Sequence, residues 1–285
     1  MNKVSGILIV SLITNSILSF FKILVGLIGS SSALIADGIH SFSDLITDVI
    51  GLFGSYFSKK PSDEKHPYGH GKIEYLISIF IGIVIIILGF FVIYNSINRS
   101  IIVPSMLVIV VTIFAIAIKF LLAQYLIKKG KEFNNSILIS SGKESSADVI
   151  SSVVVLISSV LMQLDISFFK YSDIIAGILV GILVLKVGFD VLKENISTII
   201  GEQVTNNEYL NLIKQIFLNN EKIKDIDDLI ILKYGPYHKL ISKIIIDESL
   251  SILEANKIVE KIELELKDKF NNIDYVYISF KPSSE

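Results

Sequence analysis

The fold of this chain is decided by residues 33–45, ALIADGIHSFSDL, which begin an apolar run that continues to about residue 57. The run is long enough to cross a bilayer as a helix, which takes about 20 residues. It nevertheless contains four ionisable residues: Asp37, His40, Asp44 and Asp48. Ionisable groups at membrane depth cost at least about 2.5–3.5 kcal/mol each and usually have a function. The sequence therefore predicts a membrane helix that carries part of a functional site.

His40 and Asp44 are four residues apart, so their side chains lie on one face of this helix. An imidazole nitrogen beside a carboxylate oxygen, away from water, is half of a tetrahedral site for a divalent metal ion. The chain contains only four histidines and no cysteine. Thiolate metal sites and disulfides are therefore excluded, and the positions of the histidines carry more information.

The composition indicates a membrane protein with several spans. Of the 285 residues, 52% are hydrophobic, and the mean hydropathy of +0.65 is too apolar for a soluble domain of this length. We predict six spans, at residues 6–28, 34–57, 75–97, 101–127, 134–163 and 173–193. The net charge of −2 suggests no polyanionic partner, and we expect no binding to nucleic acid.

Basic residues are concentrated in the loops after the second and fourth spans: Lys59, Lys60, Lys65, Lys72, Lys128, Lys129 and Lys131. The only basic residues in the other three loops are Arg99 and Lys170. Because lysine-rich loops stay in the cytoplasm, both termini should be cytoplasmic. We expect a multi-pass integral membrane protein of the cell (inner) membrane.

The composition changes after Asn195, and no later run is long enough to span a membrane. Helical and strand patterns follow in the order α-β-β-α-β, at residues 207–219, 225–233, 240–247, 251–270 and 273–280. The predicted fold class is therefore an all-α six-helix transmembrane domain, residues 1–200, followed by a small α+β cytoplasmic domain, residues 205–285.

The fifth span is the second polar membrane helix, and it contains Glu144 and Asp148 among many serines. Since spans 2 and 5 are antiparallel, His40 and Asp148 both fall about 9 Å from the outer edge, and Asp44 and Glu144 about 15 Å. Four inward groups at similar depth would complete a tetrahedral metal site without a position for a catalytic water, so no enzyme is expected. A buried charge network is the alternative.

The loop after the second span contains a further cluster, Asp63, His66 and His70. These side chains would converge if the turn at residues 67–69 folds the loop back on itself. Taken alone, a solvated charged loop is the simpler interpretation.

The roles of two other ionisable residues in the spans can be interpreted from their positions. Lys119 lies near the cytoplasmic end of the fourth span, where we expect its side chain to reach the interface by snorkelling. Asp37 lies one turn outside His40 and either guides ions outward or serves in capping and packing.

The segments ADGIHSFSD, residues 36–44, and HPYGHGKIE, residues 66–74, resemble the cation diffusion facilitator family. The resemblance extends over the whole chain, from the six spans to the α-β-β-α-β tail. It implies a homodimeric antiporter in the lipid bilayer that exports Zn²⁺, Fe²⁺ or Mn²⁺ from the cytoplasm in exchange for protons, by alternating access. No permanent cofactor is then expected, because the divalent metal ion is the substrate.

The resemblance also implies two metal sites. The intramembrane site would consist of His40, Asp44, Glu144 and Asp148. The loop site would consist of Asp63, His66 and His70.

The chain departs from the family pattern in two places. Glu144 stands where histidine or aspartate is common, and a carboxylate there shifts the preference toward Mn²⁺ or Fe²⁺. The tail positions that match family ligands contain no histidine: Asp227, Lys243, Asn256 and Ser279. We therefore expect the tail to dimerise by packing with weak or no metal binding, and His238 to be a surface residue.

Two other functions stay open at this point. The chain could be a non-transporting dimeric membrane scaffold that recruits partners through its cytoplasmic tail. It could also be a passive cation channel.

Overall fold

The computed structural model describes residues 3–58, 60, 62–133, 135–164 and 166–283, and the Asp48 side chain, Lys59 and Asn134 lie outside the described part. Six long helices come first: α1 Lys3–Ile28, α2 Ser32–Ser58, α3 Ile73–Asn98, α4 Met106–Glu132, α5 Ser136–Gln163 and α6 Ser172–Ile200. The tail follows: α7 Asn207–Leu218, β1 Ile223–Tyr234, β2 Tyr237–Ile246, α8 Ile252–Lys269 and β3 Ile273–Pro282. The predicted fold class is confirmed.

Five of the long helices, α1, α3, α4, α5 and α6, are long and apolar enough to cross a membrane. The sixth, α2, contains the polar segment at residues 33–45. The exposed side chains of the five apolar helices are largely Ile, Leu, Val and Phe, as expected where lipid is the solvent. The chain is therefore a multi-pass membrane protein.

Three helix boundaries differ from the sequence prediction by five residues or more, and one of them is the end of α4, at Glu132 rather than at residue 127. The helix α4 begins at Met106 rather than at residue 101, because Pro104 restricts the residue before it to extended conformations. The helix α6 continues to Ile200 rather than ending near residue 193. Its last two turns are mostly polar, and a helix needs backbone hydrogen bonds rather than apolar side chains once it leaves the bilayer.

The helices α4 and α5 approach each other closely at two glycines. A Cβ atom added to Gly142 would lie 2.6 Å from Cγ1 and 3.0 Å from the backbone nitrogen of Ile127. One added to Gly130 would lie 2.8 Å from the backbone nitrogen of Ile139. Small residues of this kind allow membrane helices to pack backbone to backbone. The polar side chains of α5 are thereby brought close to α4.

The tail forms a three-stranded sheet in the order β1-β2-β3. The strands β1 and β2 are antiparallel and are joined at Gly235, whose φ of 63° suits glycine. The strand β3 is parallel to β2, so the chain crosses over through α8. The helices α7 and α8 cover one face of the sheet, where Phe217, Leu240 and Leu266 are fully buried.

The chain forms two compact units. One contains the residues up to Val49 and Phe80–Leu192, and the other contains Ile50–Ile79 and the residues from Lys193 onward. The cluster predicted on α2 and α5 belongs to the first unit. The loop after α2 belongs to the same unit as the tail.

Candidate metal centres

Three of the four residues predicted for the intramembrane site lie together. One ligand atom each from His40, Asp44 and Asp148 forms a group within 4.8 Å. Nε2 of His40 lies 3.8 Å from Oδ1 of Asp148 and 4.0 Å from Oδ2 of Asp44. Ligands about 2.1 Å from a tetrahedral ion stand about 3.4 Å apart, so shifts of a few tenths of an ångström would bring all three onto one ion.

The burial of this cluster, which we call the membrane site, suits a poorly hydrated ion. The side chains of His40 and Asp44 are 13% and 16% exposed, and that of Asp148 is 3% exposed. Nδ1 of His40 is buried and has no hydrogen-bond partner. Buried polar atoms without partners are uncommon and cost about 1–3 kcal/mol, so this imidazole is buried at a cost in stability.

Glu144 is placed differently from the other three. It lies one turn before Asp148 on α5, is exposed, and does not belong to the group of ligand atoms within 4.8 Å. The estimated depths pair Glu144 with Asp44, whereas in the structure both His40 and Asp44 lie close to Asp148. Its role as a fourth ligand stays a prediction.

Lys119 corrects one sequence interpretation. Its side chain does not snorkel: the residue is 1% exposed, and its ammonium pairs with and donates a hydrogen bond to Oδ2 of Asp148. The helices α4 and α5 approach each other closely, and the side chain of Lys119 meets the buried carboxylate of Asp148 between them. Sequence reasoning missed this contact because position alone does not distinguish the two directions.

Asp37 belongs to a second buried network. Its contacts favour a role in packing over a role in guiding ions outward. Its carboxylate lies 2.8 Å from Nζ of Lys22 and accepts hydrogen bonds from Ser151 at 2.6 Å and Ser152 at 2.7 Å. Lys22 also donates to the hydroxyls of Ser41 and Ser152. The network links α1, α2 and α5, and Asp37 is fully buried within it.

The loop after α2 brings its three predicted ligands together. Oδ1 of Asp63 lies 3.0 Å from Nδ1 of His66, and Oδ2 lies 3.4 Å from Nε2 of His70. The backbone N–H of His66 also donates to Asp63 and, with the two imidazoles, lowers the pKa of that carboxyl. Asp63 and His66 are exposed, whereas the His70 side chain is 8% exposed.

A lysine of the tail holds this loop against the sheet. Nζ of Lys239, on β2, donates to the carbonyl of Tyr68 and lies 3.9 and 3.7 Å from the ring centroids of Tyr68 and Tyr234. A Cβ atom on Gly71 would lie 2.3 Å from the carbonyl oxygen of Tyr234. Burial lowers the pKa of Lys239 to about 8. The sequence analysis missed this contact.

The ionisable tail residues named above take part in protein contacts. Asp227 pairs with Lys281 at 3.1 Å and with Lys243 at 3.7 Å, and the hydrogen bond from Lys281 lowers the pKa of Asp227. His238 is half-buried, with Nδ1 3.1 Å from the Tyr209 hydroxyl, and burial lowers its pKa. In the described residues, no group of three or more ligand side chains lies within the tail.

Comparison with known proteins identifies the family of both parts of the chain. A family model described as the cation efflux transmembrane domain matches residues 8–200, and one described as the cytoplasmic domain of cation efflux proteins matches residues 205–283. An uncharacterised transporter of Methanocaldococcus jannaschii is 33% identical over 98% of each chain. The manganese efflux system protein MneP of Bacillus subtilis is 28% identical over 97% of this chain and 95% of its own. A cadmium, cobalt and zinc/H⁺-K⁺ antiporter of Bacillus subtilis is 26% identical over 92% of this chain and 85% of its own.

Proposed function

We propose that this chain, which belongs to the cation efflux family, exports divalent transition-metal ions in exchange for protons. Family membership makes it a metal cation efflux transporter rather than an enzyme. The identity of the metal and the coupling to protons are the proposed part. The observation that supports them is the group of ligand atoms from His40, Asp44 and Asp148, between two membrane helices.

The ligand types favour a divalent metal ion of intermediate hardness. One imidazole and two carboxylates suit Mn²⁺, Fe²⁺ and Zn²⁺, and Glu144 as a proposed fourth ligand would add a further hard oxygen. Two of the relatives are named for manganese efflux and for cadmium, cobalt and zinc antiport, which supports Mn²⁺ and Zn²⁺ within this range. We propose Mn²⁺, Fe²⁺ and Zn²⁺ as substrates, and no permanently bound cofactor.

Proton coupling follows from the chemistry of the ligands. An imidazole nitrogen and carboxylate oxygens bind metal only when they are deprotonated, so loading the membrane site releases protons. Protons that enter from the outer side would displace the metal there. Relative motion of α2 and α5 against the other helices would switch access between the two sides.

The proposal also covers the domains, the location, the assembly and the loop site. We propose that residues 1–200 and 205–285 act as transmembrane and cytoplasmic domains, with both termini in the cytoplasm and the protein in the cell (inner) membrane. The match of the tail to the cytoplasmic domain of cation efflux proteins supports a homodimer. We propose the cluster Asp63, His66 and His70 as a second metal site. We propose no nucleic-acid partner.

Flux measurements test this function. Purified protein in liposomes with an imposed pH gradient should transport Mn²⁺, Fe²⁺ or Zn²⁺, and Asp44→Ala should abolish transport because it removes a ligand. Lys257→Ala, at an exposed tail position, is the matched control and should transport normally. Absence of any flux under a pH gradient would favour a dimeric scaffold, and flux indifferent to that gradient would favour a passive channel.

A further inference from the structure

We infer that Lys119 is the resident counter-cation of the membrane site, and that an incoming metal ion must displace its ammonium from Asp148. The inference rests on the proposed function, because it takes His40, Asp44 and Asp148 as metal ligands. It assigns a role in setting affinity to a residue of α4, outside the ligand set.

The two oxygens of the Asp148 carboxylate face different partners. Oδ2 accepts from the Lys119 ammonium, whereas Oδ1 lies 3.8 Å from Nε2 of His40. The side chains of Lys119 and Asp148 are 2% and 3% exposed, so bulk water screens their interaction little. The carboxylate is therefore shared between the lysine and the side that would bind a metal ion.

Charge makes the two cations competitors. A metal ion on Oδ1 of Asp148 and the Lys119 ammonium on Oδ2 would share one carboxylate. Two cations this close in a poorly screened environment repel each other strongly, whatever the number of carboxylates around the metal ion. Metal binding is therefore favoured when the ammonium moves away from Asp148.

This competition serves transport. A translocation site must bind its ion firmly enough to load and weakly enough to release it. A tethered ammonium weakens metal binding and takes the place of the departing ion on Asp148. The buried carboxylate is then never left without a positive partner, which would be costly in a membrane.

A second buried lysine of the long helices provides a comparison. Lys22 pairs with Asp37 at 2.8 Å, and serine hydroxyls surround both groups. Asp37 does not belong to the group of ligand atoms at the membrane site. Removing the charges of Lys22 and Asp37 together should therefore leave metal affinity unchanged.

The test is direct binding of Mn²⁺ to the full-length protein in detergent, together with initial rates in liposomes. Lys119→Met should lower the Kd for Mn²⁺ by about tenfold or more, equivalent to ~1.4 kcal/mol, and should lower both KM and the maximal rate. Mn²⁺ should also raise the thermal midpoint of this variant more than that of wild type, because a ligand bound more tightly stabilises the folded state more at the same concentration. The double variant Lys22→Met/Asp37→Asn should keep the wild-type Kd.

If folded Lys119→Met has the Kd and KM of wild type, Lys119 is only structural and the inference is wrong. If Lys119→Met does not fold, Lys119→Gln replaces it, since its amide can still donate to Asp148, and the same tightening is expected. If Asp148→Asn leaves binding and flux unchanged, the membrane site itself, and with it the proposed function, is wrong.

Discussion

The backbone N–H of Ser32, at the start of α2, donates to Oδ2 of Asp173, at the start of α6, over 2.6 Å. The same carboxylate accepts from the Ser31 hydroxyl at 2.6 Å and from the backbone N–H of Ala33. A side chain of one membrane helix thus caps another. The cap fixes where α2 begins, and therefore the depth at which His40 and Asp44 lie.

We expect Asp173→Ala to destabilise the protein by about 2 kcal/mol or more, because it leaves several buried donors without an acceptor. In a domain of about 200 residues this corresponds to a fall in thermal midpoint of roughly 4–8 °C, measurable in detergent. Asp173→Asn should lose less, since its carbonyl can accept from one of the donors. Equal midpoints for wild type and Asp173→Ala would show that the cap contributes no stability.

A second prediction concerns the contact between α4 and α5. Gly142→Ala places a Cβ atom 2.6 Å from Cγ1 and 3.0 Å from the backbone nitrogen of Ile127, and the backbone cannot rotate away. Overpacking of this kind costs about 1–3 kcal/mol. It should also separate Lys119 from Asp148 and so reduce metal flux.

The control for Gly142→Ala is Gly6→Ala in α1, because an added Cβ atom at Gly6 meets no atom within 4 Å. That substitution should keep flux and slightly raise stability, by up to about 1 kcal/mol from helix propensity. Thermal midpoints and initial rates of the two variants, measured side by side, check the prediction. Equal effects of both substitutions would argue against close packing at Gly142.

The order of the helices and strands could be predicted because hydrophobic length and periodicity are local properties of the sequence. The six spans, the two strands before α8 and the helix α8 itself all come from such patterns. The boundaries that differ, at Pro104 and at the ends of α4 and α6, depend on backbone geometry and hydrogen bonding. Side-chain hydropathy does not report either of these.

The candidate sites were only partly predictable, since side-chain partners depend on packing between distant segments. His40 and Asp44 could be paired through helix spacing, and Asp148 through depth. The partners of Lys119 and Lys239 could not, because each lies on an element far from its partner in sequence. The available signal was a lysine within an otherwise apolar helix, which we interpreted as snorkelling rather than as one half of an ion pair.

Lys239 leads to a prediction about pH. Burial lowers its pKa in the folded protein to about 8, whereas an unfolded lysine titrates near 10.5. Between these values the unfolded state binds more protons, so the free energy of unfolding should rise with pH from about 8 to 10.5. The rise should be absent in Lys239→Gln.

Thermal midpoints at pH 8, 9 and 10 measure the effect as the difference between wild type and Lys239→Gln. Lys257→Gln, at an exposed position on α8, should follow wild type across the same range. Parallel curves for wild type and Lys239→Gln would mean that Lys239 titrates alike in the folded and unfolded chains.

The last prediction concerns Glu144, which lies outside the close group of ligand atoms but one turn from Asp148. If Glu144 joins the loaded site, Glu144→His should raise Zn²⁺ transport relative to Mn²⁺, because imidazole suits zinc better than manganese. Parallel fluxes of the two metals under one pH gradient give the ratio. Lys143→His is the matched control, since its side chain points about 100° away around α5 and should leave the ratio unchanged. An unchanged ratio in Glu144→His would restrict the ligands to His40, Asp44 and Asp148, and the harder-metal preference would then lose its structural basis.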